Sequence, residues 1–404
     1  MNRIEMMKKL AIKNDKKMVM FIMDGLGGLP DPGNGRTELE EASTPNLDAL
    51  AKKSICGLSL PIATGITPGS GPAHLSLFGY DPLEHDIGRG ILSALGIDFP
   101  VGKNDVAARI NFCTINENGI ITDRRAGRLS TEKNIEIAKK IVENIKVPGV
   151  EIFFLTEKEH RAAMIIRGEG LSDKISDTDP QITGVEVPVC HPTDDSPEAK
   201  YTADVVNKIV AEIKELIKAD HPANMVLTRG FAKHPAIETM GEIYQLKTAA
   251  IAVYPMYRGL AKLVGMDVLP APKDVPGEFD QLEEVYKDYD FFFFHVKATD
   301  SRGEDGDYAG KVKVIEETDK LIPRLMALDP DVVVVTGDHS TPSQLAAHSW
   351  HPVPFLLYSK HNRPDHIEHF GENECGKGLL GTFPALDTMS LMMANALKLN
   401  KYGA

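Results

Sequence analysis

Five side chains carry the first chemical signal: Asp24, Asp300, Asp338, His339 and His348, each in or just after a short apolar run. Carboxylates mixed with imidazoles suit Mn²⁺ or Zn²⁺, whereas Mg²⁺ and Ca²⁺ sites are built mostly of oxygen. A lone aspartate after a strand commonly caps the next helix. The full set, with D-H-S-T-P at 338–342 and H-S-W-H-P-V-P at 348–354, reads better as a metal centre. The second signal is Thr67-Pro68-Gly69-Ser70-Gly71-Pro72-Ala73-His74, where a helix predicted over Pro72–Phe78 would offer free N–H groups to an anion. Gly69 and Gly71 would let a phosphate approach the backbone, and a serine hydroxyl there can attack phosphorus once a metal lowers its pKa. The plainer use of that serine is a helix N-cap.

Three runs must bring these residues together: Lys17–Met23 (KMVMFIM), Asp290–Val296 (DFFFFHV) and Asp331–Thr336 (DVVVVT). Each is short, apolar and rich in β-branched or aromatic residues, which predicts buried parallel strands. Ligand sites in open α/β sheets lie beyond the carboxyl ends of the strands, so the loops after these three runs should converge from the two ends of the chain. Helices are predicted at Thr44–Lys53, with Pro45 in its first turn, and at Ala309–Leu328. The middle has strands at Val106–Phe112, Val150–Phe154 and Ala162–Ile166, and helices at Thr131–Ile145 and Pro197–Lys218. The expected organisation is an α/β core formed by 1–103 and 248–404, interrupted by an inserted domain over 104–247.

Composition narrows the function. The chain has 404 residues, 42% hydrophobic and 25% charged, enough apolar material for a sizeable core. A net charge of −13 repels phosphate backbones and anionic lipid, so nucleic-acid and membrane partners are not expected. An anionic substrate would need local basic residues, and Arg124, Arg125 and Arg128 form the densest arginine group. The four cysteines form no C-x-x-C pair, which argues against a disulfide framework or thiolate zinc and suits a reducing cytoplasm. The run Met18–Met23 is too short for a signal segment or a membrane span. Gly25-Leu26-Gly27-Gly28 lacks the dinucleotide-binding spacing, and no P-loop occurs. The Phe291–Phe294 run reads as strand packing.

The motifs MDGLGGLPD at 23–31, ASTPNLDALA at 42–51, TPGSGPAHLSLFGYDP at 67–82, DRRAGR at 123–128, KATDSRGEDGD at 297–307 and GDHSTP at 337–342 follow one another in a recognisable order. Over nearly its whole length the chain resembles the archaeal-type, cofactor-independent phosphoglycerate mutase family of the alkaline phosphatase superfamily. That resemblance implies an alkaline-phosphatase-like metal-binding core, with a mostly parallel sheet flanked by helices, and an inserted smaller α+β substrate domain. It implies that Ser70 is the nucleophile that becomes phosphoserine. Asp24, Asp338 and His339 would surround one divalent ion with it, and Asp300 and His348 would hold a second. Mn²⁺ is the first expectation for both ions, with Zn²⁺, Mg²⁺ and Co²⁺ as alternatives.

The family pattern after the second aspartate is D-x-x-x-H, but here Asp300 is followed by Glu304. A glutamate ligand would make the second site harder; alternatively His351 completes it. The resemblance implies interconversion of 3-phosphoglycerate and 2-phosphoglycerate. Arg124, Arg125 and Arg128 would hold the glycerate carboxylate, with Asp123 orienting them, and Arg161, Arg229 and Arg258 would be further anion contacts. An ATP-dependent kinase of a small hydroxy amino acid such as homoserine, and a simple phosphatase, are the competing activities. The sequence leaves the oligomeric state open.

Overall fold

The computed structural model describes residues 1–85 and 87–403. The chain divides into two compact units, one of Met1–Asp86, Glu238–Tyr254 and Ala261–Ala404, the other of Ile87–Ile237 and Pro255–Leu260.

The first unit is built on an eight-stranded sheet. In spatial order its strands are Gly381–Pro384, Ile55–Leu60, Val353–Ser359, Val332–Thr336, Met18–Met23, Phe291–Val296, Thr248–Ala252 and Asp267–Val268. All neighbours run parallel except Val353–Ser359, which is antiparallel to both of its own. The Met18–Met23, Phe291–Val296 and Val332–Thr336 strands are buried at every position, because helices cover both faces of such a sheet and alternation is lost. Their register is level: Met23 lies opposite Val296, and Ile22 opposite Thr336. The loops beginning at Asp24, Lys297 and Gly337 therefore leave the same edge of the sheet.

The predicted helix Ala309–Leu328 is two helices, Tyr308–Asp319 and Ile322–Ala327. Pro323 lies in the first turn of the second, where its missing N–H costs nothing; inside a continuous helix it would break one. Ile315, Ile322 and Leu325 still share one apolar cluster with the sheet residues Phe21, Phe294 and Val333, which is why the periodicity ran on across the break.

The second unit carries a five-stranded antiparallel sheet in the order Ile121–Asp123, Asp105–Ile115, Arg161–Arg167, Glu151–Lys158, with Met225–Ala232 also pairing to Asp105–Ile115. Helices Thr131–Asn144 and Pro197–Ile217 bury Ile137, Ile141, Val206, Ile209 and Ile213 in one cluster with Val106, Ile110, Phe112 and Met164. This unit runs over Ile87–Ile237 and takes in Pro255–Leu260, where the sequence reading expected 104–247. The earlier start follows from helix Arg89–Gly96, which lies so close to the Asp105–Ile115 strand that a Cβ on Gly90 would sit 2.1 Å from the Ala107 carbonyl. Among the described residues no helix is long and apolar enough to cross a membrane.

Candidate active site

Ser70 is the first residue of helix Ser70–Leu77, and Gly69 is its N-cap. The serine is thus not spent on capping. Its Oγ lies 3.2 Å from His339 Nε2, although 269 positions separate the two residues.

The level strand ends place side by side two groups of side chains that could hold a metal ion. Asp24, Asp338 and His339 form one, Asp300, His339 and His348 the other, each with ligand atoms within 4.8 Å of one another. Asp24, Asp338 and His339 are fully buried, and Asp300 is nearly so. Neighbouring groups fix how the imidazoles face. The Thr341 hydroxyl donates to Asp300 Oδ1 at 2.6 Å, so its contact with His339 Nδ1 at 2.9 Å must take the ring's proton. The lone pair of His339 is then on Nε2, which lies 3.1 Å from Asp338 Oδ2 and 3.4 Å from Asp24 Oδ1. His348 is prepared in the same way: Nδ1 donates to the Pro68 carbonyl at 3.0 Å, leaving Nε2 3.8 Å from both Asp300 Oδ1 and Glu304 Oε1. The two rings stack with centroids 3.7 Å apart.

These donors fit divalent ions. Asp338 Oδ2 is buried and takes no hydrogen bond within the described residues, and it faces the unprotonated nitrogen of His339. Two lone pairs in such contact repel unless a proton, which the raised Asp338 pKa favours, or a metal ion lies between them. Lys297 neutralises part of the excess charge, with Nζ 3.1 Å from Asp24 Oδ2 and in contact with Asp300 Oδ2. Burial works to raise the Asp24 carboxyl, but Lys297, His295 and His339 outweigh it and hold it well below the usual carboxylate range. Burial, joined by the charge of Asp24, pushes the Asp338 carboxyl well above that range. Burial keeps His339 well below an ordinary histidine, and the adjacent His348 acts in the same direction.

The metal-binding residues expected from sequence, Asp24, Ser70, Asp300, Asp338, His339 and His348, all meet here. Glu304 ends the helix Ala298–Glu304, with its side chain 55% exposed and within 3.8 Å of His348. Burial and then the charge of Asp300 raise its pKa. His351 belongs to neither group; its Nδ1 contacts Ser349 Oγ and its ring stacks on Trp350.

Three neighbours were missed in the sequence. His74 follows Ser70 by one helical turn and donates from Nδ1 to the Ser70 carbonyl at 2.8 Å; the i, i+4 spacing was the available signal. Burial, then His295, lowers its pKa to about 3. His295 lies 3.5 Å from Asp24 Oδ2, inside a strand whose phenylalanines masked it. Lys297 opens the KATD motif but was read only as part of that motif.

The arginines divide by role. Arg124 makes a bidentate pair with the buried Asp179, at 2.9 and 2.7 Å from Nη2, so it is spent on a structural partner and is not an open anion contact. Asp123 orients the group through the backbone, accepting from the N–H of Arg125 at 2.8 Å and of Gly127 at 2.6 Å. This shapes a turn in which Ala126, Gly127 and Arg128 all have positive φ, and it leaves Arg125 and Arg128 exposed. Arg161 pairs in register with Asn111, and Arg229 stands directly opposite Arg109, a residue the sequence reading did not single out. Like charges opposed across a sheet destabilise it, and Asp177 lies close enough for Arg229 to act on its charge. His160 is the common neighbour: burial first, then Arg161, Arg109, Arg125 and Arg128, lower its pKa to about 4. Arg258 lies on helix Pro255–Leu263, where burial lowers its pKa.

Comparison with known proteins finds relatives over the whole length of the chain. Residues 51–224 match the family model described as 2,3-bisphosphoglycerate-independent phosphoglycerate mutase. A protein of Thermosipho africanus named "Probable 2,3-bisphosphoglycerate-independent phosphoglycerate mutase" is 50% identical over 404 residues, covering 100% of both chains. A protein of the same name from Deinococcus radiodurans is also 50% identical, with 99% of each chain covered. The solved cofactor-independent phosphoglycerate mutase of Thermoplasma acidophilum is 31% identical with a TM-score of 0.71, over 94% of this chain and 100% of that one. A Pyrococcus horikoshii protein superposes with a TM-score of 0.83 at 31% identity, over 97% of this chain and 100% of that one. The chain therefore belongs to the 2,3-bisphosphoglycerate-independent phosphoglycerate mutase family.

Proposed function

We propose that this chain interconverts 3-phosphoglycerate and 2-phosphoglycerate without 2,3-bisphosphoglycerate, through a phosphoserine at Ser70, as a cytoplasmic step of glycolysis and gluconeogenesis. The observation that carries the reading is the contact of Ser70 Oγ with His339 Nε2 at the meeting point of the two ligand groups. Asp24, Asp338 and His339, with Ser70, would hold one divalent ion; Asp300 and His348, with Glu304, would hold the other. Mn²⁺ suits this mixture of carboxylate and imidazole. Bound there, such ions lower the pKa of a serine hydroxyl and offset charge on phosphoryl oxygens.

The chain's own groups do the rest. Ser70 Oγ gives up its proton and attacks phosphorus, the bond from phosphorus to the glycerate oxygen breaks, and that oxygen takes up a proton. Glycerate turns, its other hydroxyl gives up its proton and attacks the phosphoserine, the bond from phosphorus to Ser70 Oγ breaks, and Ser70 Oγ takes a proton back. Lys297, in contact with Asp24 and Asp300, adds positive charge beside the phosphoryl group. The N–H groups of Ser70 and Gly71, which open helix Ser70–Leu77 ahead of Pro72, add donors. Arg125, Arg128, Arg161, Arg229 and Arg109 would hold the glycerate carboxylate during the turn, while Arg124 supports the fold through Asp179. Water must be kept from the phosphoserine, since hydrolysis would make the enzyme a phosphatase.

Quenching the enzyme during turnover and mapping phosphate by mass spectrometry tests the reading. Phosphate on the peptide containing Ser70 is expected; an unmodified Ser70 throughout turnover would refute it.

A further inference from the structure

Lys311 lies in the first turn of helix Tyr308–Asp319 and is fully buried. Its Nζ donates to three backbone carbonyls: Gly25 at 2.9 Å, Gly27 at 3.1 Å and Thr341 at 2.9 Å. Three carbonyl acceptors match the three protons of an ammonium ion, while burial lowers its pKa from the ordinary lysine value and the charges of Glu38, Glu372, Asp300 and Asp24 work to raise it. Burying such an ion carries a desolvation cost that its hydrogen bonds must offset. None of its hydrogen bonds goes to a carboxylate; all go to two loops that carry site residues.

Each carbonyl leads to those residues. Gly25 directly follows Asp24, and its N–H donates to Asp338 Oδ1 at 3.1 Å. Thr341 sends its hydroxyl to Asp300 and takes the proton of His339 Nδ1. The Thr341 N–H in turn donates to the Gly25 and Gly27 carbonyls at 3.3 and 3.0 Å, so the two loops are stitched from both sides. They are also packed without slack: a Cβ on Gly25 would lie 2.5 Å from Thr341 Oγ1, and one on Gly303 would lie 2.3 Å from the Thr341 carbonyl. Two acids flank the arrangement and act on Lys311 through their charge. Glu38 accepts from Ser343 N at 2.8 Å and Ser343 Oγ at 2.6 Å, while Glu372 accepts from Gly28 N at 2.9 Å and Thr37 Oγ1 at 2.6 Å. Each tethers one of the same two loops just beyond the carbonyls that Lys311 holds.

We propose that Lys311 is a positioning residue for divalent-ion binding: its ammonium clasps the Gly25–Gly27 and Thr341 loops together and so sets the spacing of Asp24 against Asp300 and His339. An apolar side chain would fill the same space without the cost of burying a charge, but it would not draw three carbonyls to one point. The inference rests on the metal-dependent reading given above.

Mn²⁺ titration of the full-length chain, following free Mn²⁺ by electron paramagnetic resonance, tests it apart from activity. Wild-type protein should bind Mn²⁺, and its failure to do so would sink the metal-dependent reading itself. Given binding by the wild type, Lys311→Met, shown to be folded by circular dichroism and melting, should bind Mn²⁺ at least about tenfold more weakly, the scale of lost outer-shell contacts at metal sites. Should Lys311→Met fail to fold, Lys311→Gln, which keeps two donors but no charge, is held to a weakening in the same direction. Methylammonium should restore Mn²⁺ affinity to Lys311→Ala, and tetramethylammonium, which has no N–H, should not. A residue that only supports the fold would lower the melting temperature and leave the Mn²⁺ affinity of the folded protein unchanged. Unchanged affinity in a folded variant, or no selective rescue, overturns the proposal.

Discussion

Ser70 Oγ lies 3.2 Å from His339 Nε2, the nitrogen left unprotonated because Nδ1 is held by Thr341. The serine that opens one helix thus meets a ring set by the far end of the chain. Ser70→Ala should lower mutase activity by at least roughly a thousandfold, the scale of losing a nucleophile, and abolish the phosphoenzyme. Mn²⁺ titration should show that the ions still bind. A labelled phosphoenzyme persisting in this variant would remove Ser70 from its role.

The arginine group should separate into two phenotypes. Arg124→Ala leaves the buried Asp179 carboxylate without its bidentate partner and should destabilise the protein by about 3 kcal/mol. Arg125→Ala and Arg128→Ala remove exposed side chains and should raise KM for phosphoglycerate while leaving the melting temperature in place. Thermal melts and steady-state kinetics on the same preparations check the division. Equal loss of stability across all three variants would contradict it.

His160 gives a pH signature. Burial and the surrounding arginines lower its folded pKa to about 4, below the ordinary value of 6.5, so the folded state prefers the neutral ring. The unfolded chain takes up this proton first as pH falls. The contribution to stability is therefore whole above pH 6.5 and is lost progressively as pH falls toward 4. Denaturation at pH 7.5 and pH 5 should show a smaller loss in His160→Gln than in wild type. Phosphoglycerate held by the same arginines should raise the His160 pKa, read by NMR; an unmoved resonance would place the carboxylate elsewhere.

Glu304 replaces the histidine of the family pattern, and its side chain is 55% exposed at 3.8 Å from His348 Nε2. Glu304→His should shift the metal preference toward Zn²⁺ relative to Mn²⁺, since imidazole is the softer ligand. Competitive metal titration measures this, and an unchanged ratio would mean that Glu304 is not a ligand.

Much of the fold was legible because the central strands are parallel and covered on both faces. The runs ending at Met23, Val296 and Thr336 each read as an unbroken apolar stretch, and the acids that follow them mark the edge of the sheet. The same feature hid His295, which sits inside one of those stretches. Other elements escaped because close backbone contact carries little hydrophobic signal: Gly90 on the Ala107 carbonyl draws helix Arg89–Gly96 into the second unit. The convergence of Asp24, Asp300, Asp338, His339 and His348 followed from residue types placed after those strands. The pairing of Arg124 with Asp179, the opposition of Arg109 and Arg229, and the burial of Lys311 depend on contacts between distant segments, which no local pattern encodes.

The central claim is tested most directly by the conversion of 3-phosphoglycerate to 2-phosphoglycerate in a coupled assay without 2,3-bisphosphoglycerate, comparing Mn²⁺-loaded with chelator-treated protein. The account predicts turnover with Mn²⁺, its loss on chelation and its return when Mn²⁺ is added back. No conversion at saturating Mn²⁺, or release of inorganic phosphate in place of 2-phosphoglycerate, would contradict it.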